Sequence, residues 1–437
     1  MDSGQRLTAK NGRHLLSLIG GLTTLFTLLA SGTAYATNGY FSHGYGVKTQ
    51  GMGGVGIALP QDAIAAATNP AGMALIGNRL DLGLSWARRD AHTRLDSSFG
   101  PFAGDYDGND TQNFSIPEFG YNRALRPRLS LGVSVYANGG MNTDYGDLNS
   151  RTAGIGVPAG LPAANGIFGT GPAGVDFAQL FVAPTFALRL NPAHSLGVSL
   201  IYARQVLAVE GLQNFDNAAV SASPGNVTNK GDELSTGWGL RVGWTGRLAP
   251  AVTLGATYQP RIHMSRLDKY RGLLAEQGGL DIPANYGVGI AVRPRPALTA
   301  AADIQVIKYG DITTFGNSGN VSALLGADNG PGFGWRNQTI LKLGVSYRYN
   351  RFLTLRGGLN HARHPVPGTE TTLNMLAPVT VENHATLGAT WRMRNGGELS
   401  LGYTHGFKKT LDGSGAGAGR NISLEGDILG IAYGWTP

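Results

Sequence analysis

The chain has 437 residues, 67 glycines, no cysteine, and 35 basic against 28 acidic residues, a formal charge of +7 at neutral pH. Only 14% of the residues are charged, where about a quarter is usual for a soluble domain. Lack of cysteine excludes a disulfide framework and thiol chemistry, and a mild positive excess spread along the chain leaves no nucleic-acid footprint.

The first element in chain order is a leader. Arg6, Lys10 and Arg13 precede the apolar run LLSLIGGLTTLFTLLA (Leu15 to Ala30), and SGTAYA follows, with Ala34 and Ala36 in an A-x-A arrangement. About fifteen apolar residues fall short of the ~20 that a spanning helix needs. The reading is a signal peptide over 1–36, with the mature chain starting near Thr37. No later stretch reaches the length of a membrane helix.

Next comes GMGGVGIALPQDAIAAATNPAGMALIGN (51–78), small and weakly apolar. It turns at Asn69-Pro70, because proline fixes its own φ and pushes the preceding residue out of the helical region. GMGGVG spells a dinucleotide fingerprint, but it lacks the strand before and the helix after that such a site requires.

From Arg79 onward the sequence alternates. In RLDLGLSWA, Leu80, Leu82, Leu84 and Trp86 share one face and Asp81, Gly83 and Ser85 the other. LSLGVSVYA (129–137), ILKLGVSYRYN (340–350) and DILGIAYGW (427–435) repeat the pattern. Fourteen runs can be counted, at about 79–88, 113–124, 129–138, 177–190, 195–208, 234–248, 251–268, 282–293, 298–309, 338–349, 352–361, 383–393, 398–408 and 421–435. Their connections alternate between long, such as 89–112, 139–176 and 310–337, and short, such as RALRP, NPAH and RNGG. Tyrosine and tryptophan recur near strand ends, among them Trp86, Trp244, Tyr347, Trp391 and Trp435. Short turns on one side, long loops on the other and aromatic girdles describe a closed outer-membrane barrel.

Little in the chain carries chemistry. The nine histidines show no metal-ligand spacing; His361 and His364 fall in a loop. No nucleophile elbow or acid–base pair stands out, so no catalytic residue, metal or cofactor is expected. The alternation sends Arg189, Arg241, Lys342, Arg348 and Arg356 inward. Two readings stay open for them. They solvate a watery bore and pair with carboxylates such as Asp62, or one or two hold the carboxylate of an amphiphilic ligand.

Three stretches carry a resemblance: TNGYFSHGYGVKTQGMGGVGIALPQDAIAAATNPAGM (37–73), YANGGMNTDYGD (136–147) and HARHPVPGTE (361–370). Here the chain resembles the FadL/TodX/OmpP1 family, Gram-negative outer-membrane transporters of long-chain fatty acids and aromatic hydrocarbons, over essentially the whole mature sequence. The resemblance implies an all-β fold, a fourteen-stranded antiparallel transmembrane β-barrel over 79–437 plugged by an N-terminal hatch over 37–78. Asn69, Pro70 and Ala71 would fix the turn by which the hatch meets the wall. Ligand would enter from an apolar groove among the outer loops. It would leave sideways through a gap at a kink in the third strand, which Asn138, Gly139 and Gly140 occupy here.

The resulting expectation is uptake of hydrophobic small molecules, long-chain fatty acids first and monoaromatic hydrocarbons second. A non-transporting adhesin or structural barrel is the alternative of another class, and a plug counts against a general porin. The expected partners are the hydrophobic ligand, outer-membrane lipid with lipopolysaccharide, and the barrel-insertion machinery, the chain itself being a monomer that binds no nucleic acid. One departure from the family is that Thr436 and Pro437 follow Trp435, where such barrels end on an aromatic residue.

Overall fold

A computed structural model describes residues 38–149 and 166–436. The expected leader (1–36), Thr37, part of the 139–176 connection and Pro437 lie outside the described residues.

Fourteen long strands form the wall: β1 (Arg79–Leu95), β3 (Asn113–Arg126), β4 (Leu129–Tyr145), β5 (Ala173–Arg189), β6 (His194–Glu210), β7 (Glu233–Ala249), β8 (Val252–Gln259), β9 (Asn285–Arg295), β10 (Leu298–Ile307), β11 (Gln338–Arg348), β12 (Leu353–Ala362), β13 (Asn383–Arg392), β14 (Gly397–Leu411) and β15 (Arg420–Trp435). A four-residue arm, β2 (Gly104–Asp107), pairs with the end of β1. Each wall strand is antiparallel to its neighbours in sequence, and β15 closes on β1 from Leu80↔Trp435 to Leu95↔Arg420. Closure gives the backbone groups of the first and last strands partners, as a strand wall in lipid requires.

Period-two alternation decides which face meets which solvent. Leu387 and Trp238 are 66% and 63% exposed on the outer face, while Ser199 and Ser235, pointing inward, are fully buried. Leucine, valine and aromatic side chains left outside in this number suit acyl chains, not water.

The short connections are turns with a local cause. Asn191 Oδ1 accepts from the backbone N–H of Ala193 and His194, and Asn350 Oδ1 from Phe352 and Leu353. Such side-chain turns reverse the chain without help from distant residues.

Strand count and order match the alternation, but several limits shift. The first strand runs to Leu95 rather than 88, and the third to Tyr145 rather than 138. Beyond the lipid-facing band the outer face turns polar, so the alternation fades while the hydrogen-bond ladder continues. The expected run 251–268 stops at Gln259, because Pro260 offers no N–H to a ladder.

With long loops outside and short turns in the periplasm, trypsin added to intact cells is expected to cut within 308–337 and to spare the short turns at Arg351 and Arg394, whose following bonds it could cleave. Peptide mapping that finds cleavage at Arg351 or Arg394 in intact cells would invert the barrel.

Candidate functional site

Most of residues 38–74 lie buried against the inner faces of the strands, and the chain emerges at Leu75 to Asn78 before β1. This segment contains one helical turn, α1 (Val47–Gln50), and 3-10 turns at Ala65–Ala67 and Pro70–Ala74. An irregular segment away from water must find partners for its backbone, since a buried unpaired N–H costs about 1–3 kcal/mol. The wall supplies them. Asp303 Oδ2 accepts from Gly56 and Ile57 N–H at 2.7 and 3.0 Å, and Glu118 from Gly46 and Val47 N–H at 3.2 and 3.1 Å. Thr386 Oγ1 accepts from Gly53 N–H, and Asp81 from Ala63 N–H. Glu398 gathers Lys48 at 2.6 Å and Arg79 and Arg392 at 2.8 Å.

Space is made by inward-facing glycines. A Cβ built on Gly120 would stand 2.5 Å from the Ala63 carbonyl carbon, and one on Gly344 2.5 Å from Met52 O. At Gly197, Gly243, Gly255 and Gly358 the segment approaches closer still. The high glycine content noted in the sequence therefore has a steric reason on at least six strands.

Asn69, Pro70 and Ala71 are brought together against β6 and β7. Asn69 Oδ1 accepts from Ala71 N–H at 3.1 Å, and its Nδ2 donates to Ile57 O at 2.7 Å and to Trp244 O at 2.9 Å. Pro70 opens the 3-10 turn, where its missing N–H is no loss. Nearby, Asp62 Oδ1 accepts from Ile64 N–H, and burial, then the charge of Asp81, pushes the Asp62 carboxyl up to about 6. Asp62 forms no salt bridge with the five inward cations expected to pair with it.

Those five cations separate into three groups. Arg189 donates to Ala74 O at 2.8 Å, and Arg356 to Gln61 Oε1 at 2.8 Å and Thr390 Oγ1 at 2.7 Å, so both hold the N-terminal segment. Arg348 corrects the expectation: it is exposed at the short-turn rim and donates to Pro296 O. The burial alternation of β11 ends at Ser346, where the wall meets solvent, and Tyr347, Arg348 and Tyr349 are all exposed. Arg241 and Lys342 remain as interior cations, 3% and 4% exposed. Arg241 donates to Gln259 Oε1 at 2.6 Å; Lys342 stands opposite Asp303 in the β10–β11 register. Around them Arg241 Nε, Gln259 Nε2, Asn285 Nδ2, Asp303 Oδ1 and both amide atoms of Asn360 have no protein partner.

The wall is interrupted at one place along β4. Pairing with β3 covers only Arg126↔Leu129 to Phe119↔Val135, and the outer half of β3 pairs with β1 alone. β4 bulges at Asn138 in its ladder with β5 and then continues through Gly139 and Gly140. These glycines therefore do not begin the loop, which starts after Tyr145. The free edge of β4 carries the N-terminal segment: Gly140 N–H donates to Tyr40 O at 2.9 Å and Ser42 N–H to Asn138 O at 3.0 Å. No Cβ fits on Gly139, because Tyr40 O lies there. Asn138 Oδ1 accepts from Tyr45 OH, and Nδ2 donates to Gln179. The opposite lip contains Pro117, a residue that strands tolerate at edges and that the sequence reading passed over.

Above this, the long loops and the outer ends of β4, β5 and β6 line a narrow apolar slot. Phe177, Leu207, Leu274, Phe315, Phe333 and Leu376 are among its walls. Its one hydroxyl, Thr314 Oγ1, is committed to Gly279 O. A second groove, open to the outside and lined by Phe215, Val220 and Val321, shares Leu325, Pro331 and Leu373 with the slot. Phe177 and Phe315 also pack on Tyr40, at ring-centroid distances of 5.4 and 5.1 Å, in a cluster with Tyr309 and Trp335. Tyr309 OH donates to Asn38 O at 2.7 Å and accepts from Tyr40 and Phe41 N–H at 3.2 Å. Residues 40–42 thus touch the slot's walls and the β4 edge at once. Elsewhere, donor atoms of Asp90, His92 and Asp107 lie within 4.8 Å of one another, but none of the three lines the slot.

Residues 25–433 match the family model of outer membrane transport proteins, OMPP1/FadL/TodX. Among solved structures, the chain is similar to the P. putida toluene transporter TodX (18% identity, TM-score 0.63, covering 90% of this chain and 99% of that one). It is also similar to the Ralstonia pickettii toluene transporter TbuX (19%, 0.63, 90% and 98%) and to a Pseudomonas aeruginosa FadL homologue (18%, 0.65, 91% and 99%). At these identities the likeness is one of fold. No curated protein sequence matches the chain.

Gly357 and Gly358 separate the two faces of β12. A Cβ on Gly357 has its nearest neighbour at 3.7 Å, whereas on Gly358 it would overlap the backbone of Met52 and Gly53. Gly358→Val is expected to dislodge the N-terminal segment, with an overpacking cost of about 1–3 kcal/mol. Small-ion conductance in planar bilayers should then rise while the barrel stays heat-modifiable on gels. Gly357→Val should leave conductance unchanged; equal behaviour of the two would refute the packing account.

Proposed function

Because the chain belongs to the outer membrane transport family OMPP1/FadL/TodX, and so is an outer-membrane channel for hydrophobic small molecules, we propose a route for its ligand. The ligand enters the outer groove, passes into the apolar slot through the shared walls at Leu325, Pro331 and Leu373, and leaves sideways between β3 and β4. Residues 38–78 act as the hatch, and Asn138, Gly139 and Gly140 shape the exit.

One observation carries this reading: residues 40–42 pack on two walls of the slot and also occupy the unpaired edge of β4. A ligand that loosens them opens the wall. Sideways release also has a solvation reason, since moving apolar surface through a watery bore costs roughly 25 cal/mol per Å². Unpaired strand edges at membrane depth are tolerated where they line a cavity.

The first-choice ligand is a long-chain fatty acid, its tail in the slot and its carboxylate served by Arg241 or Lys342. The second reading, a monoaromatic hydrocarbon, draws on the slot's own chemistry, because its one hydroxyl is already committed and an uncharged ligand needs none.

Titrating the purified protein with oleate and with toluene separates the two. Under the fatty-acid reading, Arg241→Gln or Lys342→Gln weakens oleate by about ten- to a hundredfold, the range of a charge-assisted hydrogen bond, and leaves toluene alone. Equal effects on both ligands sink the carboxylate role.

Tyr309→Phe removes the acceptor of the Tyr40 N–H and one of the two acceptors of the Phe41 N–H, which also donates to Asn38 O. Hydrogen exchange at Tyr40 and Phe41 is expected to quicken by roughly tenfold or more, and uptake of a hydrophobic probe should rise with it. Unchanged protection at both amides would mean that the cluster does not hold the segment.

A further inference from the structure

The short-turn end of the barrel carries a charge pattern that transport does not use. Five of its six turns present exposed arginines: Arg126 and Arg128, Arg247, Arg293 and Arg295, Arg351, and Arg394. Among the described residues this end shows no exposed aspartate, glutamate or lysine. Its two wall carboxylates, Asp81 and Glu398, are buried and already paired with Arg79, Lys48 and Arg392. The long-loop end differs, mixing signs in pairs such as Arg94–Asp105 at 3.8 Å and Lys409–Glu382 at 3.2 Å.

Position narrows what the ring can meet. The arginines follow directly on lipid-facing side chains: Leu125 precedes Arg126, Leu248 follows Arg247, and Tyr349 lies two residues before Arg351. They therefore stand at headgroup depth, at the lower edge of the apolar band. They are distributed around the perimeter, which fits an annulus of small ligands better than one docked protein. Residue type points the same way, because the planar guanidinium pairs with a phosphate through two parallel hydrogen bonds while an ammonium acts as a point charge.

We propose that this arginine ring binds the phosphates of anionic phospholipids in the periplasmic leaflet, gathering phosphatidylglycerol-type lipids around the barrel. The occupant is a lipid headgroup, whose acyl chains lie along the adjoining leucines and aromatics.

The test counts lipids by native mass spectrometry of the purified full chain released from micelles containing equal phosphatidylglycerol and phosphatidylcholine. Wild type should retain phosphatidylglycerol preferentially, and the preference should shrink in high salt. Arg126, Arg128, Arg293, Arg295, Arg351 and Arg394, all →Gln, should abolish it, with about fivefold weaker binding per arginine lost at a given lipid site. The same six changed to Lys should retain part of it. Each variant is first required to run as the folded, heat-modifiable species; if the sixfold variant does not, Arg293→Gln/Arg295→Gln should give the same trend at smaller amplitude. No preference in wild type, as expected if the ring instead meets an acidic periplasmic protein, overturns the proposal. So does equal preference in wild type and the Gln variants, or displacement of the lipid by an equal concentration of inorganic phosphate.

Discussion

Closure of β15 on β1 is the constraint from which the rest follows. In lipid, each strand edge must be paired, so the wall has to be a ring. A ring creates an interior, and this interior holds a segment with almost no regular structure of its own. The wall is interrupted along the outer half of β4, and there residues 40–42 and the cavity side supply partners for the exposed edge. An interruption in such a wall is stable only with such company.

The interior solves two problems with few residue types. Glycine removes the Cβ that would collide with the segment's backbone, and carboxylates with short hydroxyl side chains take up its N–H groups. Glu398 illustrates the electrostatic side. It is nearly buried, yet three cations reach it, Lys48 from the segment and Arg79 and Arg392 from the wall. Breaking a buried ion pair by removing one partner costs about 3–5 kcal/mol, so this cluster specifies position more than it adds stability. The segment can be placed in one way only, with Lys48 near the β14 wall and Asn69 against β7.

That placement links two distant features. Tyr40 is gripped by aromatic side chains that also wall the slot, and its backbone lies on β4 beside Gly139. The slot's aromatic walls and the free edge of β4 thus meet at the same three residues. Arg241 and Lys342 lie among interior amides without partners, an environment suited to water or to a polar head.

The sequence by itself determined the number of strands, their order, the faces of their side chains and which connections are short. All of these follow from a period of two and from turn chemistry at residues such as Asn191 and Asn350, signals that act over a few positions. The sequence alone also marked Asn69-Pro70 as a turn, while Gly139 stood out only through the family resemblance. Only the tertiary structure decided what meets what. Arg189, Arg348 and Arg356 read identically to Arg241 along the chain, yet two of them hold the N-terminal segment and one lies outside on the rim. No single stretch is dense in aromatics, because Tyr40, Phe177, Tyr309, Phe315 and Trp335 are gathered from separate loops and strands. Strand periodicity says which way a side chain points, but its neighbour across the bore depends on register and ring closure, which are properties of the whole wall.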